Sequence, residues 1–404
     1  MATWLQTKIL DLLSALVDKS ILIRTEHNGV VRFRLLETLR DDGREQIRQS
    51  ARYPDLQRRH ADWCRRLVSD AAADWFSPRQ VEWMKRVERE VPNIWAALEF
   101  SLTDSPQSAL DIAGTMQPPG LARGALAQTR RWLDRALAAI PPEPTINRVR
   151  ALYGGAIIAG LQGDLQAAKA RVAEGQSLVK QMADPRAHGM ICSADGFTAL
   201  VSGDFERACA RFEDALGALD EPTLRVAAML MMGWSLEFAG EISPALIWQE
   251  KALALAVSSG ESVYRGYALW SLGIGWWRHG KPDRAKQLLE DAVRVTHQVD
   301  DPRQAAASLE GLAWIATDKS DPRRAAVLMA AAETLGRAAG ASTVVLPHLL
   351  VFHEECERSA REALGANEFE AARQEGRSLN FEDAITYALG EPPSSPTARS
   401  RQVL

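Results

Sequence analysis

The stretch AIIAGLQGDLQAAKARVAEG, residues 156–175, decides the fold, because its pattern returns at a nearly constant spacing along the chain. The same arrangement recurs as GFTALVSGDFERACARFEDA at residues 196–215. Six such units are marked by a central small residue, with steps of 39, 40, 37, 40 and 40 residues: Gly124, Gly163, Gly203, Gly240, Gly280 and Ser320. A fixed period of this length is typical of stacked helical repeats.

Small side chains accompany these marks at three fixed offsets. Seven residues before the later marks lie Ala156, Gly196, Gly233, Gly273 and Ala313. Five residues after each mark lie Thr129, Ala168, Ala208, Ala245, Ala285 and Ala325, and twelve after lie Ala136, Gly175, Ala215, Ala252, Ala292 and Ala332. A bulky apolar residue stands nine positions after the mark, except that Gln249 takes this place once. Small residues let helix axes approach closely, so each unit predicts two antiparallel helices.

The pattern therefore predicts a mainly α protein in which about six helix pairs stack into a tetratricopeptide-like α-solenoid. The order of small, glycine, small and bulky positions resembles the tetratricopeptide repeat, lengthened from 34 residues toward 40. We expect the repeats to cover residues 104–375, with a helical linker over 51–103. A closing helix and a flexible tail are predicted for residues 376–404.

Residues 1–50 do not follow the repeat. Ile9–Val17 has helical apolar spacing, and two β-like runs, Ile21–Arg24 and Val30–Leu35, follow it. The Asn-Gly pair at 28–29 lies between the runs and is a strong hairpin signal. A second helix is expected to start near Leu36. Helix, hairpin and helix form the rear half of a winged-helix domain, so the sequence predicts a partial winged-helix segment.

Three segments resemble one protein family. LSALVDKSILIR (13–24) and VVRFRLLETLRDDGREQI (30–47) are similar to the winged helix of large LuxR-type transcriptional regulators, which are signal-transduction ATPases. RRHADWCRRL (58–67) and QVEWMKRVEREVPNIWAALEFSL (80–102) resemble their linker. FEAARQEGRSLNFEDAITYAL (369–389) resembles the segment that closes their repeats. The resemblance implies a middle part of such a regulator, with the segments in the family order.

Two parts of that family are missing from this sequence. No stretch matches the phosphate-binding loop GxxxxGK[ST], which holds nucleotide phosphates in the family's ATPase domain. The last residues, SPTARSRQVL (395–404), resemble only the opening of the helix-turn-helix that reads DNA in these regulators. We therefore expect no direct DNA contact from this chain alone.

Composition limits the class of function. The formal net charge of −4 and a pI near 6.1 give no basic footprint for nucleic acid. The cysteines are scattered without metal or redox spacing: Cys64, Cys192, Cys209 and Cys356. No apolar run is long enough to span a membrane, and no signal peptide is recognisable, so a cytoplasmic protein is expected.

The linker sequence contains one helix-breaking signal. Val91-Pro92-Asn93 interrupts the helical pattern of residues 81–100, and Asn93 could cap a helix that begins there. We therefore expect a break in this helix at Pro92.

Aromatic residues of the repeats are the candidate binding site. In a tetratricopeptide array, the first helix of each unit lines the concave groove, and this register predicts six aromatic groove residues: Phe197, Trp234, Tyr267, Trp270, Trp277 and Trp314. Such rings could stack on a peptide, a sugar or another flat ligand. The alternative is that they fill a tight superhelix or contact a neighbouring domain.

Catalytic and metal-binding patterns are weak. His348, His353 and Cys356 could suggest a metal ligand set, but their spacing fits one helical face poorly, and a solvated helix surface is expected instead. No GxSxG motif or Cys/His pairing with local context occurs. The sequence therefore predicts a non-enzymatic protein without cofactors.

The function predicted is sensing and interaction within LuxR-type transcriptional regulation. The resemblance implies that the repeats bind a small-molecule inducer or a protein partner in their groove. Two alternatives stay open, namely a stand-alone scaffold that docks peptides or proteins, and a truncated remnant of a regulator. Apolar surface on a partial winged helix also makes a homodimer a possible arrangement.

Overall fold

The computed structural model describes residues 2–27, 30–48, 50, 52–116, 126–339 and 346–392. The chain divides into two compact bodies, an N-terminal body of Met1–Asp62 and a C-terminal body of Trp63–Leu404. Each body is described by itself.

The N-terminal body contains the predicted helix, hairpin and helix. Its elements are α1 (Ala2–Asp18), β1 (Leu22–His27), β2 (Val30–Leu35) and α2 (Glu37–Arg48). The strands pair antiparallel, with Leu22 opposite Leu35 and His27 opposite Val30. The hairpin is thus confirmed, although the Asn-Gly pair at 28–29 lies outside the described residues.

Two long helices form the linker, α3 (Tyr53–Ala73) and α4 (Gln80–Asp104). The predicted break at Val91-Pro92-Asn93 is wrong, because α4 continues through Pro92. Buried side chains on both sides of the proline, Val87 before it and Ile94 after it, hold the helix against its neighbours. This packing compensates for the backbone hydrogen bond that the proline ring removes.

Six helix pairs follow in the described residues. The pairs are α5 (Pro106–Thr115) with α6 (Leu126–Ala138), α7 (Ile146–Leu161) with α8 (Leu165–Val179), α9 (Pro185–Val201) with α10 (Phe205–Ala218), α11 (Pro222–Phe238) with α12 (Ile242–Ser258), α13 (Val263–Arg278) with α14 (Pro282–Val299), and α15 (Pro302–Asp318) with α16 (Pro322–Ala338). From α7 onward the first helix of each pair contacts the first helix of the next pair as well as its own partner. The predicted mainly α, tetratricopeptide-like α-solenoid is confirmed.

The repeat marks are the turns inside the pairs. Five of the six marks have positive φ angles, from 58° at Ser320 to 90° at Gly240, which is the left-handed region that glycine enters without strain. The remaining mark, Gly124, lies outside the described residues. The alanines at the three fixed offsets from the second unit onward are fully buried. At Gly233, an added Cβ would lie 2.7 Å from the Gln249 side chain, so the predicted close approach of helices is confirmed there.

Gln249 departs from the bulky apolar pattern for a visible reason. Its side chain is fully buried, and its Nε2 donates a 3.1 Å hydrogen bond to the Glu237 carboxylate, which is also fully buried. Arg278 donates to the same carboxylate at 2.9 Å. The glutamine therefore occupies the apolar position in order to satisfy an internal charge.

The chain closes with helices that pack on the last repeats. A short 3-10 turn (Pro347–Leu349) leads into α17 (Leu350–Ser378), which is bent at Gly365, and α18 (Phe381–Leu389) follows. Gly365 has φ 74° and ψ 164°, so two helical segments meet there. Most of the predicted tail, residues 393–404, lies outside the described residues. In the part of the chain that is described, none of the helices combines the length and apolarity needed to cross a membrane.

Candidate functional site: a covered cavity in the concave face

A cavity of about 620 Å³ lies within the C-terminal body. Its walls come from the first helices of five pairs, α5, α7, α9, α11 and α13, with Arg303 added from the start of α15. Ala72 at the end of α3 and Phe76 in the turn that follows also line it, and so does Leu346 near the C-terminal helices. The cavity is therefore bounded by the linker as well as by the repeats.

A buried hydrogen-bond cluster fastens the linker to the turn between α12 and α13. Gln80 donates from Nε2 to the Glu261 carboxylate at 2.5 Å, and its Oε1 accepts from the backbone N–H groups of Ser262 and Val263 at 3.0 and 2.9 Å. Glu261 also accepts from the Tyr264 N–H at 2.8 Å. Burial raises the pKa of Glu261, and these donors oppose that rise. The cluster fixes the start of α4 to the start of α13.

Apolar contacts support the same junction. Trp75, at the end of α3, is almost fully buried and packs with Met84, Val263 and Val299. The ring of Phe76 lies 6.5 Å from that of Tyr264, measured between centroids. The linker thus covers the part of the concave face that α11 and α13 would otherwise expose.

The six predicted groove residues fall into two groups. Phe197, Trp234, Tyr267 and Trp270 all line the cavity. The Trp234 and Trp270 rings lie 5.0 Å apart, and Trp270 donates from Nε1 to the Ala307 carbonyl at 3.1 Å. These four residues are brought together, and their role as ligand contacts stays a prediction.

Trp277 and Trp314 belong to the second group and do not line the cavity. Their rings lie 5.2 Å apart, and Phe352 from α17 packs against both, at 5.0 and 5.6 Å. Trp277 donates to Asp318 at 2.6 Å, and Trp314 donates to Glu310 at 2.9 Å. A segment of the chain itself therefore covers this part of the groove.

The prediction of a solvated surface for the C-terminal histidines is wrong. His348 packs against the rings of Phe205 and Phe238 and forms a 3.1 Å hydrogen bond with the Leu200 carbonyl. His353 Nδ1 lies 2.7 Å from the buried Glu310 carboxylate. These side chains face the concave surface because α17 crosses it. Within the described ranges, no cluster of His, Cys, Asp and Glu could hold a metal ion.

Cys356 lies in the same interface as the two histidines. Its thiol is buried against the hydroxyl of Thr317 at 3.0 Å, and burial raises its pKa to about 12. All four cysteines lie in the described residues, and they are thiols that form no disulfide. At neutral pH Cys356 is therefore a protonated, unreactive packing residue.

Arginines supply the charge at one end of the cavity. Arg186 pairs with Glu221, while Arg150 lies 3.8 Å from Asp111 and 3.4 Å from the hydroxyl of Thr115. Burial lowers the pKa of Arg150, and the neighbouring positive charge of Arg186 lowers it further. Both side chains line the cavity, so two guanidinium groups share a partly dehydrated space.

A third arginine lies beside the tyrosines of α13. Arg303 donates to the hydroxyl of Tyr267, and its guanidinium carbon lies 5.4 Å from the centre of that ring. Burial lowers the pKa of Arg303 to about 10, so its side chain stays protonated at neutral pH. Burial also raises the pKa of Tyr153 and Tyr264, which are neutral donors and acceptors there.

Sequence reasoning missed the cover and the charged end. Gln80 and Glu261 meet across 181 residues, and local periodicity carries no information on such a contact. The arginines were available as a signal, since Arg186 and Arg303 each follow a proline at the start of a first helix, in Asp-Pro-Arg. Identical positions in two repeats place identical side chains on the same side of an array.

Comparisons with known proteins give a partial relationship. No family model matches the chain. Over 132 residues the chain is 33% identical to a protein of Mycobacterium bovis whose name describes an HTH-type transcriptional regulator, and equally identical to one of Mycobacterium tuberculosis. The match covers 32% of this chain and 14% of either relative, so the chain spans a small fraction of their length.

Solved structures share the helical architecture at low identity. A Rap protein complexed with Competence and Sporulation Factor is 12% identical with a TM-score of 0.48, and the match covers 83% of this chain and 98% of that one. A STAND protein with a tetratricopeptide repeat sensor from Pyrococcus horikoshii is 13% identical with a TM-score of 0.45, over 89% and 60% of the two chains. Over about a third of its length, the chain is similar to proteins whose names describe HTH-type transcriptional regulators.

Proposed function

We propose that this chain is the sensor module of a LuxR-type transcriptional regulator and that an inducer binds in the covered cavity. The observation that carries the proposal is the cavity itself. Its volume of about 620 Å³ falls within the usual range of small-molecule sites, and apolar and aromatic walls with a few polar groups are typical of them. The similarity to HTH-type transcriptional regulators supports the regulatory context.

The covered groove favours a small molecule over an extended peptide. A peptide in a tetratricopeptide groove needs an open concave face along several repeats. Here the end of α3 lines the cavity at one side, and Phe352 covers Trp277 and Trp314 at another. Protein partners, a homodimer among them, would then bind outside the cavity, and we place the protein's action in the cytoplasm.

The proposal is tested by filling the cavity without removing a core side chain. Ala227 lines the cavity from α11 and is only partly buried, so Ala227→Trp would occupy ligand space. Ala254→Trp, at an exposed position of α12, is the matched control. A thermal-shift screen of metabolites should give ligands that raise the melting temperature, by about 2.7 kcal/mol of added stability at a hundredfold excess over Kd.

We expect Ala227→Trp to abolish the ligand-induced shift, while Ala254→Trp retains it. Circular dichroism should show unchanged helix content in both variants. A ligand that stabilises Ala227→Trp as much as the unmodified chain would bind elsewhere, and the proposed role of the cavity would be wrong.

A further inference from the structure

The cavity has a charged end and an apolar end. Most of its charged and phenolic lining residues stand at or near the starts of the first helices: Arg150, Arg186, Glu221, Tyr264, Tyr267 and Arg303. Asp111 and Tyr153 stand near the middle of α5 and α7. Its apolar lining includes Ile157 and Leu161 in the last half of α7, Phe197 near the end of α9, and Trp234 near the end of α11. The first helices of successive pairs run in the same direction, so these two sets lie at opposite ends.

Side-chain contacts agree with that placement. At the charged end, the positive charge of Arg186 acts on Arg150, and Arg186 pairs with Glu221. At the apolar end, an added Cβ on Gly160 would lie 2.8 Å from the Phe197 ring, so this ring lies against the end of α7. The residues of each end therefore contact one another across repeats.

The distance between the two ends indicates an elongated ligand. Arg186 and Phe197 lie eleven residues apart on α9. At a rise of about 1.5 Å per residue, their backbones are separated by roughly 16 Å along the helix axis. The same count separates Thr223 from Trp234 on α11. A molecule that fills the cavity from end to end would be long and narrow.

Hydrogen-bonding capacity at the charged end is only partly used. Among the described residues, Arg186 Nε and Ser193 Oγ are buried and have no hydrogen-bond partner. Seven residues separate them on α9, which is two helical turns, so they share one face. Ser193 is 5% exposed and lines the cavity. A buried donor that lacks an acceptor is costly, and an oxygen atom of a ligand beside Arg186 would satisfy its Nε. Ser193 lies roughly 10 Å farther along the helix axis, so its Oγ would bond a second polar atom of the ligand.

The charges lead to the same conclusion. The described lining residues contain three arginines, Arg150, Arg186 and Arg303, and two acids, Asp111 and Glu221. Guanidinium groups thus outnumber carboxylates in the lining, and Asp111 and Glu221 pair with Arg150 and Arg186. Charge-assisted hydrogen bonds from guanidinium groups to an anionic oxygen are among the stronger ones in proteins.

We propose that the cavity binds an anionic amphiphile, with its single acidic head group beside Arg150 and Arg186 and its linear apolar body directed toward Phe197 and Trp234. The inference rests on the proposed function, since it names the chemical class of the inducer. Carboxylate and phosphate-ester heads share the chemistry that the arginines recognise. The apolar body sets the length that the cavity accepts.

The test uses calorimetric titration of the full chain with dodecanoate, dodecyl phosphate and dodecan-1-ol, each below its micelle concentration. The alcohol has the same chain but no charge. We expect one dodecanoate or one dodecyl phosphate per chain, bound at least about tenfold more tightly than the alcohol, which corresponds to roughly 1.4 kcal/mol. The titration with dodecyl phosphate shows whether the site prefers a phosphate-ester or a carboxylate head group.

Substitution of a head-group residue gives a second readout. Arg150→Gln should remove most of the preference for dodecanoate over dodecan-1-ol while leaving the alcohol's affinity nearly unchanged. Arg294→Gln, on the outer helix α14 with an exposed side chain, is the matched control and should keep the preference. If Arg150→Gln fails to fold, the comparison of probes on the unmodified chain still decides the question.

Failure of this inference and failure of the proposed function give different results. Equal affinities for dodecanoate and the alcohol, both lost in Ala227→Trp, would overturn the anionic head group and leave the cavity as a binding site. Dodecanoate binding that persists in Ala227→Trp would overturn both. If none of the three probes binds, an amphiphile of this class is not the ligand, whereas stabilisation by an unrelated metabolite would still support a sensor.

Discussion

The ring of Phe352 stands edge-on against the ring of Trp277, with centroids 5.0 Å apart and planes at 83°. Trp277 lies on the first helix of the fifth pair, while Phe352 begins the C-terminal helix α17. Edge-to-face aromatic pairs of this kind add stability beyond the area that they bury. The start of α17 is therefore packed on the concave face as part of the core.

Phe352→Ala should loosen the start of α17. Loss of its contacts with Trp277 and Trp314 removes a partly buried ring, and we expect a loss of about 1–3 kcal/mol in unfolding free energy. Val351→Ala changes the adjacent, exposed residue and is the control. Urea unfolding measures the free energies, and hydrogen exchange of residues 350–364 locates the change. Equal protection of this segment in both variants would show that Phe352 does not anchor it.

The contact between His353 and Glu310 should make stability depend on pH. The hydrogen bond that His353 donates to the Glu310 carboxylate raises the pKa of His353 above its ordinary value of 6.5, although burial opposes the rise. Glu333 and Glu357 act in the same direction as Glu310. A raised pKa in the folded state means that the pair stabilises the fold fully below pH 6.5 and loses this contribution as the pH rises through the raised value.

His353→Gln should therefore cost more stability at acidic than at alkaline pH. Urea unfolding of the variant and the unmodified chain at about pH 6 and about pH 9 checks this, because a histidine is largely protonated only at the first value. His279→Gln, whose ring packs edge-on against Trp276, is the matched control. A difference in free energy that stays constant between the two pH values would contradict the ion pair.

Gly376→Ala should destabilise the packing of α17 on α16. An added Cβ would lie well inside van der Waals distance of the Val327 carbonyl oxygen and 2.9 Å from the Ala330 Cβ. The backbone at Val327 cannot move aside easily. We therefore expect Gly376→Ala to lower the unfolding free energy by about 1–3 kcal/mol, as at other overpacked sites. At Gly217, by contrast, an added Cβ meets nothing within 4 Å. Gly217→Ala should leave stability unchanged or raise it by about 0.4–1 kcal/mol, by restricting the unfolded chain.

Gln80→Ala should weaken both the fold and ligand binding. The change leaves the Ser262 and Val263 N–H groups without the acceptor that Gln80 supplies and removes a donor from Glu261. We expect a loss of about 2–3 kcal/mol, measured by urea unfolding, because buried groups lose partners. Gln181→Ala, which removes an exposed side chain, is the control. If ligand affinity in Gln80→Ala equals that of the control, the linker does not shape the cavity.

The repeat architecture could be predicted from the sequence because its causes are local and recur. Ala168, Gly203 and Ala215 each form a helix contact or a turn within one unit. Because the same residue types recur at the repeat spacing, the sequence reveals their role. Pro92 misled the prediction because its local effect is opposed by buried neighbours that only the fold brings together. The same is true of Gln249, whose partner Glu237 stands on the preceding helix.

The candidate site could be predicted only in part for a related reason. The register of the first helices places Phe197, Trp234, Tyr267 and Trp270 at one cavity. It gives no information on which other segments approach that face. Contacts between α3 and α13, or between α17 and α13, join residues far apart in sequence and depend on how the whole C-terminal body closes.

The buried cluster of Gln80 and Glu261 has a consequence for transmission of a signal. A ligand that touches both Phe76 and Tyr264 would act as a reversible cross-link between two parts of the chain that are otherwise joined through α4 and four helix pairs. Its arrival would narrow the range of positions open to the segment between α3 and α4. Ligand binding in the cavity would then make the linker more rigid.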